Sequence, residues 1–237
     1  MGPVSAPAAP TGIRAILLDY GGTLVSGTPD PYPVWAPVLA ARGLSLDRAG
    51  WEGANDRALA RLGHLMYRTV GERPTFWDRV HAATLEELGV ADPGGAIVAA
   101  LHDAATSPTE RPPFPETEAV LRELRGLGLS LHVVSNSTDY LVEAIDRLGW
   151  RDRFDSLTYS QEAGAEKPDR RVFELALRRA GVPPGAALHV GDTWGADYEG
   201  ARAAGLNAAW LSRDGRAPPE PATTVRDLTG IRALLGR

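Results

Sequence analysis

Four short, largely apolar runs recur along the chain, each about as long as a buried β-strand. They occupy residues 13–18, 129–134, 186–190 and 207–211. The first three run into polar residues, namely Asp19, Ser135 and, after Gly191, Asp192. Segments with the apolar spacing of amphipathic helices separate or follow these runs, at residues 116–127, 140–148, 171–180, 195–204 and 225–235.

This alternation of strands and helices predicts an α/β fold with a doubly wound parallel sheet. Ligands of such sheets bind in the crevice beyond the carboxyl ends of the strands. Asp19, Ser135 and Asp192 all follow a predicted strand directly or within one residue. We therefore expect their side chains to meet in one crevice.

Residues 27–112 depart from the alternation and predict a separate helical domain. Helical spacing occurs at residues 33–42, 50–70, 74–88 and 94–105, and the segment contains no convincing strand. Proline-containing stretches at residues 28–31 and 111–115 flank it and suggest hinges. The sequence thus predicts a sheet domain of residues 1–26 and 113–237, with residues 27–112 inserted as an α-helical cap.

Composition and charge narrow the class of protein. The 237 residues carry a formal net charge of -5 at pH 7, which argues against nucleic acid or an anionic membrane as a partner. The absence of cysteine excludes disulfides, thiolate nucleophiles and cysteine-ligated metals. The first dozen residues lack the basic start and apolar run of a signal peptide, and no segment reaches about 18 apolar residues. We therefore expect a cytoplasmic protein with a frayed amino terminus.

One basic residue differs in type from all the others. Of 25 basic residues, 24 are arginine and one is lysine, at position 167. A GC-rich genome explains why lysine is scarce, but not why it is retained at this position. Lysine is a compact point charge that suits a phosphoryl oxygen. The competing interpretation of Lys167 is an ordinary solvated surface lysine.

Taken singly, the polar residues at the strand ends allow both chemical and structural interpretations. A carboxylate at Asp19 can attack phosphorus or carbon, or hold a metal, but it can equally cap a turn. Ser135 and the amide of Asn136 can bind a phosphate or begin a helix. Asp192 can ligate a hard cation such as Mg²⁺ with Asp197 behind it, or the two can belong to an ordinary helix start.

Taken together, their order and spacing are much more specific. Four segments carry the pattern, at residues 18–24 (Leu-Asp-Tyr-Gly-Gly-Thr-Leu), 134–136 (Val-Ser-Asn), 166–169 (Glu-Lys-Pro-Asp) and 191–197. The set resembles the haloacid dehalogenase-like hydrolase superfamily, in the subfamily with a helical cap after the first motif. The resemblance covers residues 13–26 and 113–211.

The resemblance implies a hydrolase that acts through a covalent aspartyl intermediate on a small phosphorylated molecule. Asp19 would be the nucleophile. Mg²⁺ would be held by Asp19, the carbonyl of Gly21 and Asp192, with Asp197 in support. The transferring group would be bound by Gly22, Thr23, Ser135, Asn136 and Lys167. Neither nucleic acid nor membrane is expected as a partner, and the protein is expected to be a monomer or a homodimer.

Gly21 departs from the pattern of phosphatases in that family, which usually carry a second aspartate two residues after the nucleophile. Residues two apart on an extended chain face the same way, so such an aspartate can protonate the leaving oxygen. Gly21 has no side chain for this step, which typically contributes about 10²–10⁴-fold. Alkyl phosphates should therefore turn over slowly unless another group donates. Three cap residues are candidate donors, although each is better explained as an exposed helix residue: Asp56, His64 and Glu72.

Other functions compete with the phosphatase. A carbon–halogen hydrolase needs neither the second aspartate nor a metal, but family members of that kind lack the Gly-Asp pair found at residues 191–192. Cleavage of phosphonoacetaldehyde requires a cap lysine, which residues 27–112 do not contain. A non-enzymatic member would bind a phosphorylated ligand or a partner protein without turnover. Several cap residues could line a substrate pocket, although packing or solvation explains each one: Trp35, Arg57, Arg61, Tyr67, Arg68, Trp77 and His81.

Overall fold

The computed structural model describes residues 12–26, 30–109 and 111–236. The amino-terminal segment that the sequence predicts to be frayed lies outside these ranges, as do residues 28 and 29 of the first predicted hinge. Within the described residues, six parallel strands form one sheet in the order β3-β2-β1-β4-β5-β6. The strands are β1 (Ala15–Leu18), β2 (Ser130–Ser135), β3 (Ser156–Tyr159), β4 (Ala187–Gly191), β5 (Asn207–Leu211) and β6 (Thr224–Val225).

The helices of the described residues lie both between the strands and in the segment after β1. They are α1 (Tyr32–Ala40), α2 (Arg48–Leu62), α3 (Phe76–Glu87), α4 (Ala96–Ala105), α5 (Thr117–Gly126), α6 (Tyr140–Arg147), α7 (Ser160–Ala163), α8 (Arg170–Ala180), α9 (Gly200–Ala203) and α10 (Gly230–Leu234). A π-helix, Trp194–Glu199, directly precedes α9. Among the helices of the described residues, none is both long and apolar enough to cross a membrane.

The prediction of an α/β fold with a doubly wound parallel sheet is confirmed. Leu18 of β1 aligns with Val133 of β2 on one side and with Val190 of β4 on the other. All four residues of β1 are buried, which explains why its sequence is continuously apolar rather than alternating. From β1 the chain adds β2 and β3 on one side of the sheet, and it then crosses over to add β4, β5 and β6 on the other side. Ligands of such sheets bind at this crossover point, between β1 and β4. Asp19 and Asp192 follow these two strands.

One compact unit contains the sheet and comprises residues 1–27, 112–136 and 149–237. Its core packs helix α8 against the sheet, with Val172 and Phe173 fully buried beside Leu17 and Val134. The amphipathic pattern of α8 is what allows this, because its apolar residues recur at positions that face the sheet.

The other compact unit comprises residues 28–111 and 137–148, and its described secondary structure is entirely helical. Trp35 and Trp51 are buried in one apolar cluster of this unit. Helix α6 belongs to it because Tyr140 and Glu143 contact residues of α3 and α4. The predicted cap boundaries of 27–112 leave α6 in the sheet domain, and those boundaries stay a prediction.

Two local predictions at the edges of the sheet were wrong or incomplete. Val225, which the apolar spacing places at the start of a helix, lies in β6, and α10 begins at Gly230. β-branched Thr224 and Val225 pair with β5 instead. The strand β3 went unpredicted because its sequence, Ser-Leu-Thr-Tyr, is too polar and short to stand out.

Candidate active site

The strand β1 ends at the candidate nucleophile, and a tight loop follows it. The amide of Asp19 donates to the carbonyl of Val190 in β4, at 3.0 Å. The Tyr20 carbonyl accepts from the amides of Leu24 and Val25, at 2.8 and 3.1 Å. These hydrogen bonds pair backbone groups of a tight turn that directly follows the strand. We call residues 20–25 the nucleophile loop.

Lys167 lies at the centre of the site, bound on three sides. Its Nζ donates to Asp19 Oδ1 at 2.7 Å, to Asp197 Oδ1 at 2.6 Å and to the Val134 carbonyl at 2.8 Å. The side chain is 2% exposed, so the interpretation as a solvated surface lysine is wrong. The two carboxylates hold the pKa of Lys167 above its usual range despite burial, which by itself lowers that pKa.

Asn136 positions the backbone of Lys167. Its side-chain Oδ1 accepts from the Lys167 amide at 2.7 Å, and its Nδ2 donates to the Lys167 carbonyl at 3.0 Å. Ser135 is the last residue of β2 and is buried. The Val134 carbonyl that binds Lys167 precedes it directly. The site therefore brings the end of β2 and the segment around Lys167 together, as the sequence predicts.

Asp197 accepts three hydrogen bonds that hold Lys167, His189 and the backbone of Thr193 in place. Its Oδ1 accepts from Lys167 and from His189 Nε2, the latter at 3.0 Å, and its Oδ2 accepts from the Thr193 amide at 3.0 Å. Burial raises the pKa of Asp197, but Lys167 and His189 more than offset this, so its pKa lies well below the usual range. A Cβ placed on Gly191 would lie 2.2 Å from Asp197 Cγ, so glycine is required there.

Asp192 follows β4 and faces the nucleophile loop. A Cβ placed on Gly22 would lie 2.3 Å from Asp192 Oδ2, and Gly22 has a left-handed φ of 75°. The backbone carbonyl of Asp192 accepts from Trp210 Nε1 at 2.8 Å. Carboxylate oxygens of Asp19, Asp192 and Asp197 all lie within 4.8 Å of one another.

This donor set fits a hard divalent cation. Because Asp197 already accepts three hydrogen bonds, Asp19 and Asp192 are the carboxylates left to bind a metal. Burial raises the pKa of both, and neighbouring carboxylates raise it further, with Lys167 opposing. The site holds three carboxylates and one ammonium group, and a cation would offset the remaining negative charge. Carboxylate oxygens are the ligands that Mg²⁺ prefers.

Thr23 is fully buried, and its Oγ1 has no hydrogen-bond partner among the described residues. A buried hydroxyl without a partner costs free energy, so it marks a position where a ligand oxygen could bind. Its predicted part in binding the transferring group stays a prediction, as do the parts of Gly21 and Gly22.

Three residues that the sequence did not point to contribute to the site. They are His189, Trp210 and Arg213, which contact Asp197, Asp192 and the nucleophile loop, respectively. Their contacts join residues that are 8, 18 and 191 positions apart in the sequence. The polar His189 within an otherwise apolar strand was the one available signal, since a buried polar side chain needs a partner.

Most of the candidate cap residues pack or form ion pairs within the helical unit, and the others are exposed. Trp35 and His81 are buried with their rings 5.4 Å apart, and burial lowers the pKa of His81 to about 4. Trp77 packs on Phe76, with ring centroids 5.2 Å apart. Further candidates form ion pairs, namely Arg57 with Glu87, Arg61 with Glu86 and Glu72 with Arg79. Asp56, His64, Tyr67 and Arg68 are exposed.

The fold and the site define an α/β protein with a doubly wound parallel sheet, in which an aspartate follows the central strand beside a buried lysine and two further carboxylates. The model of one family, haloacid dehalogenase-like hydrolase, matches residues 13–205. The chain belongs to this family, as its four sequence motifs predict.

Relatives within the family differ in chemistry. The chain is 36% identical over 149 residues to haloacid dehalogenase-like hydrolase domain-containing protein 3 of Bos taurus, covering 62% of this chain and 59% of the relative. It is 39% identical over 150 residues to the phosphoserine phosphatase of Thermus thermophilus, covering 62% and 58%. The chain thus spans less than two thirds of the length of these two relatives.

The solved structure of a 2-haloacid dehalogenase from Pseudomonas syringae matches 95% of this chain and 99% of its own. The TM-score is 0.75 and the sequence identity 25%. The comparisons thus define a hydrolase whose relatives include both a phosphatase and a dehalogenase.

Proposed function

We propose that the protein is a Mg²⁺-dependent phosphatase that acts through an aspartyl-phosphate on a small phosphorylated metabolite. The single observation that carries the proposal is the cluster of the Asp19, Asp192 and Asp197 carboxylates, in which Asp19 and Asp197 also bind the Lys167 ammonium. A cation bound there by Asp19 and Asp192 would neutralise charge on the phosphoryl oxygens. The phosphoserine phosphatase of Thermus thermophilus is a relative whose chemistry agrees with this assignment.

Asp19 would attack phosphorus, forming a bond from its carboxylate oxygen while the bond to the leaving oxygen breaks. Lys167 lies 2.7 Å from that carboxylate and would stabilise negative charge on the nucleophile and on the phosphoryl oxygens. Water would then cleave the acyl phosphate, releasing inorganic phosphate and restoring Asp19. Asp197 and Asn136 would keep the lysine in place throughout.

Gly21 restricts the substrate. Without a side chain two residues after Asp19, the leaving oxygen receives no proton from the nucleophile loop. The proposal therefore assigns a substrate whose leaving group departs without help, or one that carries its own proton donor. The net charge of -5 supports a small molecule rather than nucleic acid or a membrane surface as partner. We also propose that the protein is cytoplasmic and that it is a monomer or a homodimer.

A screen of phosphorylated metabolites and p-nitrophenyl phosphate, with and without Mg²⁺, tests the proposal. We expect release of phosphate that requires Mg²⁺ and is lost in Asp19→Asn. Phosphate release that is unaffected by this substitution would contradict the assignment of the nucleophile.

Carbon–halogen hydrolysis is the second candidate, favoured by the similarity to the 2-haloacid dehalogenase of Pseudomonas syringae and by Gly21. A halide leaves without a proton, so this chemistry has no need of a second aspartate. Metal-independent release of halide from 2-haloacids would favour it over the phosphatase. Tight binding of phosphate or phosphorylated compounds without turnover of any substrate would instead indicate a binding protein.

A further inference from the structure

Arg213 lies two residues after the end of β5 and binds the nucleophile loop. Its Nε donates to the Gly22 carbonyl at 3.1 Å, and its Nη2 donates to the Thr23 carbonyl at 2.7 Å. Its Nη1 pairs with the Glu116 carboxylate at 2.7 Å, and its guanidinium carbon lies 3.4 Å from the centre of the Phe114 ring. The guanidinium is therefore fixed by a carboxylate, a ring and two adjacent carbonyls.

This arrangement requires arginine. A planar guanidinium can donate to two neighbouring carbonyls and a carboxylate at once, whereas an ammonium lacks the fixed fork of donors. The side chains of Arg213 and Glu116 are 21% and 18% exposed, so water screens their interaction less than that of a surface pair. We therefore expect Arg213 to hold the nucleophile loop more firmly than a solvent-exposed arginine would.

The loop that Arg213 holds is the one that faces Asp192. At Gly22 there is no room for even a Cβ between the loop and the Asp192 carboxylate. The side chain of Trp210 in β5 donates to the backbone carbonyl of Asp192 at 2.8 Å. Trp210 and Arg213, at and just after the end of β5, therefore contact the backbone of Asp192 and the loop that directly follows Asp19.

We propose that Arg213 is a positioning residue that fixes the nucleophile loop against Asp192 and thereby sets the affinity of the site for a divalent cation. The part that concerns the cation rests on the proposed function. The part that concerns the loop does not, because it follows from hydrogen bonds to Gly22 and Thr23.

The test compares Arg213→Met and Arg213→Lys with a matched control, Arg125→Met. Arg125 belongs to the same compact unit and likewise binds one carboxylate, of Asp155, and one backbone carbonyl, of Arg153. Hydrogen exchange is measured at the amides of the nucleophile loop, and Mg²⁺ affinity is measured by calorimetry. The backbone hydrogen bonds of Leu24 and Val25 provide the exchange signal.

We expect faster exchange in the loop of Arg213→Met. We also expect Mg²⁺ binding to weaken by about 10–100-fold, the usual effect of losing a hydrogen bond that supports the segment around a metal ligand. Arg213→Lys should lie between it and the wild type, and Arg125→Met should change neither quantity. Unchanged exchange in Arg213→Met overturns the proposal, as does faster exchange with unchanged Mg²⁺ affinity. If the wild type binds no Mg²⁺, the proposed function fails, and exchange alone decides whether Arg213 holds the loop.

Discussion

Asp192 occupies the space that a side chain at Gly22 would need. A Cβ built on Gly22 would lie 2.3 Å from Asp192 Oδ2, far inside van der Waals contact. The glycine also has a left-handed φ of 75°, which L-residues rarely adopt. Two independent constraints, one on conformation and one on space, therefore fix glycine at the point where the nucleophile loop meets the acidic loop.

Comparing Gly22→Ala with Gly181→Ala should distinguish the steric constraint at Gly22 from the conformational one. Gly181 also has a left-handed φ, of 65°, but a Cβ there would meet nothing. Both variants should lose about 1–2 kcal/mol of stability from backbone strain. Only Gly22→Ala should also lose activity, by about 10²-fold, because it displaces Asp192. Equal activity in the two variants, measured as kcat/KM with p-nitrophenyl phosphate, would disprove the steric argument.

Substituting Gly21→Asp should restore proton donation to the leaving oxygen. Gly21 does not have a positive φ, so an aspartate fits its backbone conformation. We expect turnover of alkyl phosphates to rise by up to about 10²–10⁴-fold, with a much smaller gain for aryl phosphates, whose leaving groups need less help. The ratio of the two kcat values is the measurement. A gain of equal size for both substrates would mean that proton delivery is not what Gly21 lacks.

Asp19→Asn and Lys167→Met should change stability in opposite directions although both abolish turnover. Burial raises the pKa of Asp19, so above the unfolded-state pKa of about 4 its ionised form destabilises the metal-free fold. Removing that charge should raise the free energy of unfolding by on the order of 1 kcal/mol. Removing Lys167 takes the cation away from two buried carboxylates, Asp19 and Asp197, and should lower it by about 3–5 kcal/mol. Urea denaturation without metal measures both, and shifts of the same sign would contradict this account.

His102 should make the helical unit more stable at mildly acidic pH. Its Nδ1 lies 2.8 Å from Asp78 Oδ1 and its Nε2 lies 2.7 Å from Glu143 Oε2. Burial lowers the pKa of His102, but these two carboxylates outweigh it, so the pKa is raised overall. Its contribution to stability is therefore complete below the unfolded value of about 6.5 and is lost as pH rises through the raised folded value.

The measurement is the free energy of unfolding of wild type and His102→Gln between about pH 5 and pH 8, a window in which the unfolded-state histidine titrates. Asp78 and Glu143 have lowered pKa values and stay ionised across this window. We expect the difference between the two proteins to be largest at the acidic end. His64→Gln, at an exposed position, is the control. A difference that grows with pH would show that the linkage has the wrong sign.

The sequence was sufficient to predict the central strands and the residues at their ends. Runs such as Ala15–Leu18 are continuously apolar because both faces are buried, and the polar residue that ends each run stands out against them. Since the carboxyl ends of parallel strands lie at the same edge, the sequence predicts that Asp19, Ser135 and Asp192 share that edge, and the structure brings the carboxylates of Asp19 and Asp192 together there. Lys167 stood out for a different reason, as the lysine of a chain that otherwise uses arginine.

The parts that the sequence could not predict depend on contacts between distant segments. Arg213 is one of 24 arginines, and nothing local distinguishes it from those that form surface ion pairs. Helix α6 has the amphipathic pattern of a helix on the sheet, yet Tyr140 and Glu143 bind residues of the helical unit. The edge strands β3 and β6 depend on pairing with β2 and β5 more than on their own sequence.

The most direct test of the central claim is a calorimetric titration of Mg²⁺ into the wild type, Asp192→Asn and Asp214→Asn without substrate. Asp214 is an exposed aspartate of the same compact unit and serves as the control. If Asp19 and Asp192 share a cation, the wild type and the control bind Mg²⁺ with the same affinity, and Asp192→Asn loses at least about 10-fold. Equal Mg²⁺ affinity in Asp192→Asn and the wild type would contradict the account.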